Sequence, residues 1–129
     1  PVPPGTALVS ADPAQLRQAV GSVVRNALDA APAGGWVRVS LEHGGAGYQI
    51  AVEDNGTGPA ADAVPHLFDP FFSGRPAGRG RGLGLSVAWR LTRANGGAVE
   101  YARRPGGPTR FVLTLPAAAA DPATGRKSA

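Results

Sequence analysis

The stretch Tyr48-Gln49-Ile50-Ala51-Val52-Glu53-Asp54-Asn55-Gly56-Thr57-Gly58 decides the fold. Tyr48, Ile50 and Val52 alternate with Gln49, Ala51 and Glu53, the two-residue period of a strand with one buried face. Asp54 keeps the parity of the apolar set, so it points at the same face. A carboxylate there is costly unless hydrogen bonds compensate. Either the amides of the turn Asp54-Asn55-Gly56 satisfy it, or a donor on a ligand does. On this stretch alone the plain turn is the simpler reading.

Upstream of this strand, Val37, Val39 and Leu41 alternate with Arg38, Ser40 and Glu42, and residues 43–47 join the two runs into a hairpin. Before them, Asp12 followed by Pro13 marks a helix start, with a side-chain cap and a proline at the first helical position. Leu16, Val20, Val23, Ala27 and Ala30 then recur at helical spacing until Pro32 and Gly34-Gly35. The other face of this helix carries Gln18, Ser22, Arg25, Asn26 and Asp29. A short apolar run, residues 7–11, precedes it as a strand. Downstream there is one short helical possibility over residues 60–67, then a long Gly/Arg segment. Leu83, Val87, Leu91 and Ala94 define a second long helix, closed by Asn95-Gly96-Gly97. Two last strands, residues 98–103 and 109–115, are joined by a Pro/Gly turn. Thr109 shares the parity of Phe111, Leu113 and Leu115, which brings it to the same inner face as Asp54. The order predicts an α+β sandwich with helices on one face of a sheet, not a doubly wound α/β fold.

Composition bounds the rest. The 129 residues include 19 Gly and 13 Pro, yet the large apolar residues fall in periodic blocks, enough for one domain and not two. Residues 1–6 read as a linker end, 7–116 as the domain and 117–129 as a disordered tail with nothing to pack. No apolar run approaches the roughly 18 residues of a membrane span, and no leader opens the sequence. With no Met and a start at Pro1-Val2-Pro3-Pro4, the sequence reads as a segment of a longer protein. The absence of Cys excludes disulfides, thiolate metal sites and Cys nucleophiles, and two His argue against a multi-His metal centre. The net charge of +4 comes almost entirely from Arg, whose planar fork suits phosphate. Arg75, Arg79 and Arg81 crowd one Gly-rich stretch, while the others are spread along the chain, which argues against a nucleic-acid surface.

The crowded segment, Gly78-Arg79-Gly80-Arg81-Gly82-Leu83-Gly84-Leu85, runs into the second long helix. Its glycines permit close backbone approach and the helix start offers free N–H groups, the makings of a phosphate cradle. A flexible glycine loop and an RNA-binding Arg-Gly tract are the alternatives. The run from Gly56 to Ala61 matches a loose dinucleotide fingerprint, but the required helix and acid-terminated strand do not follow, and there is no P-loop motif. Asn26, in a polar helical stripe, reads by itself as a solvated residue. Trp36 and Trp89 read as packing residues.

Asn26 in its stripe, Asp54-x-Gly56-x-Gly58, the Phe-rich segment and Gly80-x-Gly82-x-Gly84, taken in this order, resemble the histidine kinase catalytic and ATP-binding domain. That domain belongs to the superfamily of gyrase, Hsp90 and MutL ATPases. The likeness runs from about Ala7 to Pro116 and is nearest to nitrogen-regulation-type sensor kinases. It implies a Bergerat-type sandwich: a mixed sheet of about five strands, about three helices on one face, and an ATP lid over residues 68–82 that is mobile when empty.

The resemblance also implies roles. Asp54 would accept a hydrogen bond from the adenine amino group, with Gly56 and Gly58 letting the chain pass close to the base and Thr109 assisting through a water. Asn26 would hold Mg²⁺. Gly80, Gly82 and Gly84, with Leu83 and Leu85, would line the phosphates, and Arg75 would neutralise the terminal one. Phe72, with Phe71, would dock on the phosphoacceptor helical domain, and Phe68 would be exposed beside them. Asn26 and Arg75 are thus the implied catalytic residues, and ATP and Mg²⁺ the implied cofactors. The phosphoacceptor domain and a response regulator are the implied partners, with no nucleic acid and no membrane contact by this segment, which is placed in the cytoplasm. Ser22 stands where hydrolysing relatives carry a Glu base, so transfer to protein is expected to outweigh hydrolysis. Asp29 stands where many kinases have a base, and the lid is longer than the common pattern. A nucleotide-gated interaction module and an anti-sigma-type serine kinase are the alternatives to a histidine kinase.

Overall fold

Asp12 fixes where the first helix begins. Its Oδ1 accepts the N–H groups of Ala14 at 2.9 Å and Gln15 at 3.1 Å, and Pro13 fills the first helical position. The helix, α1 (Pro13–Ala30), ends as Ala31 turns extended ahead of Pro32. The computed structural model describes residues 6–44, 47–70, 84–103 and 106–118. Within them β1 (Val37–Gly44) and β2 (Gly47–Asp54) form the hairpin, α2 (Gly84–Ala94) is the second helix, and β3 (Ala98–Arg103) and β4 (Thr109–Pro116) close the chain of elements.

The sheet order is β1-β2-β4-β3, every pair antiparallel. The alternation read from sequence sets the register: Tyr48 lies opposite Leu115, Ile50 opposite Leu113, Val52 opposite Phe111 and Asp54 opposite Thr109. One face buries Val52, Val99, Phe111 and Leu113 against Ala19, Val23 and Ala27 of α1 and Ala88 of α2. Alanine at three of these helix positions brings the helix axes close to the sheet. On the opposite face Glu53 is nearly buried between two cross-strand neighbours. It accepts from Arg38 at 2.9 Å and lies 3.6 Å from Arg110, which reaches on to Glu42 at 2.8 Å.

The helices are tied at the end away from Asp54. Asn95, just past α2, accepts the N–H of Asp12 at 2.8 Å and donates to Gln15 Oε1 and the Leu91 carbonyl. The bonds from Gly97 N–H to Thr92 and from Gly96 N–H to Arg93 close α2 in a Schellman motif, as the Asn-Gly-Gly signal predicted.

The α+β class stands as expected; the counts differ. Among the described residues the sheet has four strands, not about five, and it is antiparallel, not mixed. The run 7–11 makes one bridge, Val9 to Ala117, because the cap at Asp12 turns the chain into α1 before a strand can extend. That bridge carries the chain's pairing past Pro116, to a bond from Ala118 N–H to the Leu8 carbonyl. The third helix, foreseen over 60–67, is a 3₁₀ turn at Val64–His66 within successive i to i+3 bonds. Pro65 has no N–H to give an α-helix and its ring would meet the carbonyl four residues back. The tryptophans are not interior packing residues: Trp36 and Trp89 are 42% and 39% exposed, each stacked under an arginine, Arg38 and Arg93. Phe68 is not an exposed loop residue either; it packs edge-on against Phe111 at the margin of the core.

Candidate functional site

One cross-strand row at the end of the sheet collects the polar groups. Val37 on β1 faces Asp54 on β2, Asp54 faces Thr109 on β4, and Thr109 faces Arg103 on β3. Direct partners in a ladder share a face, here the inner one. Asp54 is completely buried and Thr109 nearly so. The Gly56 N–H donates to Asp54 Oδ1 at 2.8 Å, but Asp54 Oδ2 and Thr109 Oγ1 are buried without any hydrogen-bond partner.

Orphaned buried polar atoms are rare, and each costs about 1–3 kcal/mol while nothing binds it. Three such atoms occur among the described residues, Thr92 Oγ1 in α2 and these two, and only these two lie on directly paired residues. The carboxylate oxygen can only accept while ionised, and the hydroxyl can do either, so the complement is a ligand edge that presents an N–H donor. Burial pushes the Asp54 carboxyl above its ordinary range, while the Gly56 amide and the Arg103 guanidinium draw it back down.

The turn after β2 is built against this row. A Cβ on Gly56 would collide with the Ala30 carbonyl and stand 2.9 Å from Asp54 Oδ1. Gly58 has φ +78°, and a Cβ there would lie 2.9 Å from Thr109 Oγ1 and run into Arg103 Nη1. Only glycine takes that backbone conformation at little cost. Asn55 anchors the turn by accepting the Trp36 N–H at 2.8 Å, and Arg103 donates to the Thr57 carbonyl.

Helix α1 lines the site along one face. Ala30 touches the Gly56 turn, and Ser22 has its carbonyl 3.9 Å from a Cβ placed on Gly84, the first residue of α2. Asn26 lies one turn from each, so Ser22, Asn26 and Ala30 stack on a single face. The path from the start of α2, past Asn26, to the buried carboxylate is about 12 Å along the helix axis. That face of α1 runs from the Asp54 row to the start of α2. Among the described residues there is no group of three or more His, Asp or Glu side chains able to hold a metal. A divalent ion at half-buried Asn26 would take most of its oxygens from phosphate and water, the habit of Mg²⁺.

A family model described as histidine kinase-, DNA gyrase B- and HSP90-like ATPase matches residues 11–119. The chain belongs to that ATPase family. Among its relatives, the sensor histidine kinase ZraS of Escherichia coli O157:H7 is 36% identical over 108 residues, covering 84% of this chain and 23% of ZraS. AfsQ2, a signal transduction histidine-protein kinase of Streptomyces coelicolor, is 36% identical over 115 residues, covering 87% of this chain and 21% of AfsQ2. The chain thus spans less than a quarter of the curated relatives' length. Of solved structures, the ATP binding domain of PrrB from Mycobacterium tuberculosis superposes with a TM-score of 0.68 at 30% identity, covering 91% of this chain and 77% of that one. The fold is that of histidine kinase ATP-binding domains.

Within this ATPase-family domain, Asp54, Gly56, Gly58 and Thr109 come together at one end of the sheet, and Asn26 lies on the α1 face between Ala30, beside the Gly56 turn, and Ser22, beside Gly84. Leu85 packs its side chain against the core. Phe72, Arg75, Gly80, Gly82 and Leu83, and with them Phe71, Arg79, Arg81 and the lid from residue 71 onward, lie outside the described residues. Sequence reasoning passed over Arg103. The signal was present: Val99, Tyr101 and Arg103 share a parity, so the apolar face of β3 ends in a base as that of β2 ends in an acid.

Proposed function

We propose that this chain is the ATP-binding catalytic part of a two-component sensor histidine kinase, which moves the γ-phosphoryl group of ATP to a histidine on a helical domain of the same protein. A response regulator would then receive it. The observation that carries this reading is the pair of unpartnered buried atoms, Asp54 Oδ2 and Thr109 Oγ1, set for an adenine amino group and a bridging water in a member of an ATPase family.

Bound ATP with Mg²⁺ supplies the activated phosphoryl group; the chain's residues bind and orient it. Asp54 and the Gly56–Gly58 turn fix the base. Asn26 holds the metal from the polar face of α1. Gly84, with Gly80, Gly82 and Leu83, lends backbone amides to the phosphates, and Arg75 and Phe72 act from the lid on the terminal phosphate and the acceptor domain. The acceptor imidazole uses its own ring nitrogen on phosphorus, the bond to the β,γ-bridging oxygen breaks, ADP leaves, and the ring N–H proton goes to water. Such a transfer needs positioning and charge neutralisation more than a strong base. Ser22, on the same face of α1, has no basicity to activate water.

His43 stacks on Tyr48 in the hairpin and His66 contacts Asp69 at 2.9 Å, settings that suit structure and not phosphoacceptance. Among the described residues no helix is long and apolar enough to cross a membrane. The test mixes the chain, Mg²⁺ and γ-labelled ATP with the helical domain of its own protein. Acid-labile, base-stable label on that domain's histidine is the expected result. Nucleotide binding without transfer would leave a nucleotide-gated interaction module, and acid-stable label would indicate a serine kinase.

A further inference from the structure

Arg103 stands in contact with the site and the reading above gives it no task. It ends β3 as the direct partner of Thr109, its Nη1 donates to the Thr57 carbonyl, and it lies over Gly58. One guanidinium therefore spans the glycine turn and the row that holds the buried carboxylate. We propose that Arg103 is a positioning residue that sets base selectivity, clamping the Gly56–Gly58 turn and keeping Asp54 a pure acceptor, so that adenine is taken and guanine refused. This rests on the assignment of the pocket to a nucleotide base.

The chemistry follows from what each base presents. Adenine offers an amino group at its six-position, and guanine offers a carbonyl oxygen there. An ionised Asp54 attracts the first and repels the second; a protonated Asp54 can donate to the guanine oxygen and loses the distinction. Burial is the largest influence on Asp54 and the Gly56 amide the next, and Arg103 is the charged side chain among the described residues that acts on it. Val37 comes from β1, Thr109 from β4 and the Gly56 amide from the turn, and none of them is charged. Asp29 of α1 and the Arg38–Glu53–Arg110 group of the outer face are not among the causes acting on Asp54, whereas Arg103 is. Burial raises the Asp54 carboxyl and the nearby guanidinium opposes it.

The experiment titrates the full chain with Mg-ADP and with Mg-GDP by calorimetry between about pH 5 and pH 8. It compares the native residue with Arg103→Gln and Arg103→Lys. Both nucleotides carry the same diphosphate, so the ratio of their affinities cancels phosphate ionisation. In Arg103→Gln the ADP-over-GDP ratio should fall by roughly tenfold at the acid end of that range, the size usual for side chains coupled in one network. Its decline should also begin at higher pH than in the native chain. Arg103→Lys keeps the charge and should restore most of the pH profile, while the guanidinium bond to the Thr57 carbonyl is lost. An unchanged ratio and profile in Arg103→Gln overturns the proposal. So does an equal loss for both nucleotides at every pH, which is what a purely structural role gives. Failure of the native chain to bind ADP at all would overturn the nucleotide assignment itself, and this inference with it.

Discussion

Replacing Asp54 by Asn separates binding from folding, because the carboxylate serves the first and burdens the second. Its Oδ1 is held by the Gly56 N–H at 2.8 Å, so in Asp54→Asn the amide oxygen keeps that bond and the NH₂ takes the place of Oδ2. The adenine amino group then loses a charge-assisted acceptor, worth about 1.5–3 kcal/mol, and meets a donor. A total near 3 kcal/mol lowers Mg-ADP affinity by about a hundredfold or more. Stability moves the other way. An acid whose folded pKa is raised contributes stability that is fully present below its unfolded pKa and is lost as pH rises through the folded one. At pH 7 the empty pocket carries that burden, from burial, only in the native chain. The unliganded variant, which buries no ionisable group at this position, should melt several degrees higher at pH 7. About 1 kcal/mol corresponds to ~4–8 °C in a domain of this size. The difference should close on acidification below the Asp54 pKa. Calorimetric titration and thermal unfolding on the same samples decide it. Affinity within about threefold of the native value would refute the base-acceptor role, and a large fall in unliganded stability would show that the carboxylate holds the fold instead.

Three further substitutions probe the frame. Gly58→Ala forces a side chain into φ +78° against Thr109 and Arg103, so it should cost about 1–3 kcal/mol in denaturant unfolding and weaken ADP at least tenfold. Normal behaviour in both assays would mean the turn is not built as described. Asp12→Ala removes the cap at the far end of α1 and should cost about 0.5–2 kcal/mol of stability with ADP affinity unchanged once folded. Glu53→Gln weakens the outer-face pairing with Arg38 and Arg110; a lower unfolding midpoint with an unaltered ADP titration is expected, and a binding defect would show that the two faces are coupled.

The hairpin, the two last strands and both long helices were legible because their signals are local and redundant, whereas the expected fifth strand over 7–11 and the mixed sheet were not found among the described residues. Alternation fixed the hairpin and placed Asp54 and Thr109 on one face, and the cap residues Asp12 and Asn95-Gly96-Gly97 fixed the helix ends. What escaped depended on single residues that overrule a pattern, or on contacts across the chain. Pro65 turned an expected helix into a 3₁₀ turn. The tryptophans obeyed no buried period, and arginines cover them at the surface. Arg103 drew no reading until the β3–β4 register set it beside Thr109. The acid of the site was readable from parity, whereas its lack of a partner at Oδ2 was not, since that depends on every neighbour the fold brings near.

The most direct measurement is a crystal structure of the chain grown with Mg²⁺ and a non-hydrolysable ATP analogue. The six-amino nitrogen of the base should lie about 3 Å from Asp54 Oδ2, with Thr109 Oγ1 joined to the base directly or through one water and the phosphates pointing past Asn26 to the start of α2. A base bound elsewhere, with Asp54 Oδ2 and Thr109 Oγ1 still unpartnered in the occupied protein, would contradict the account.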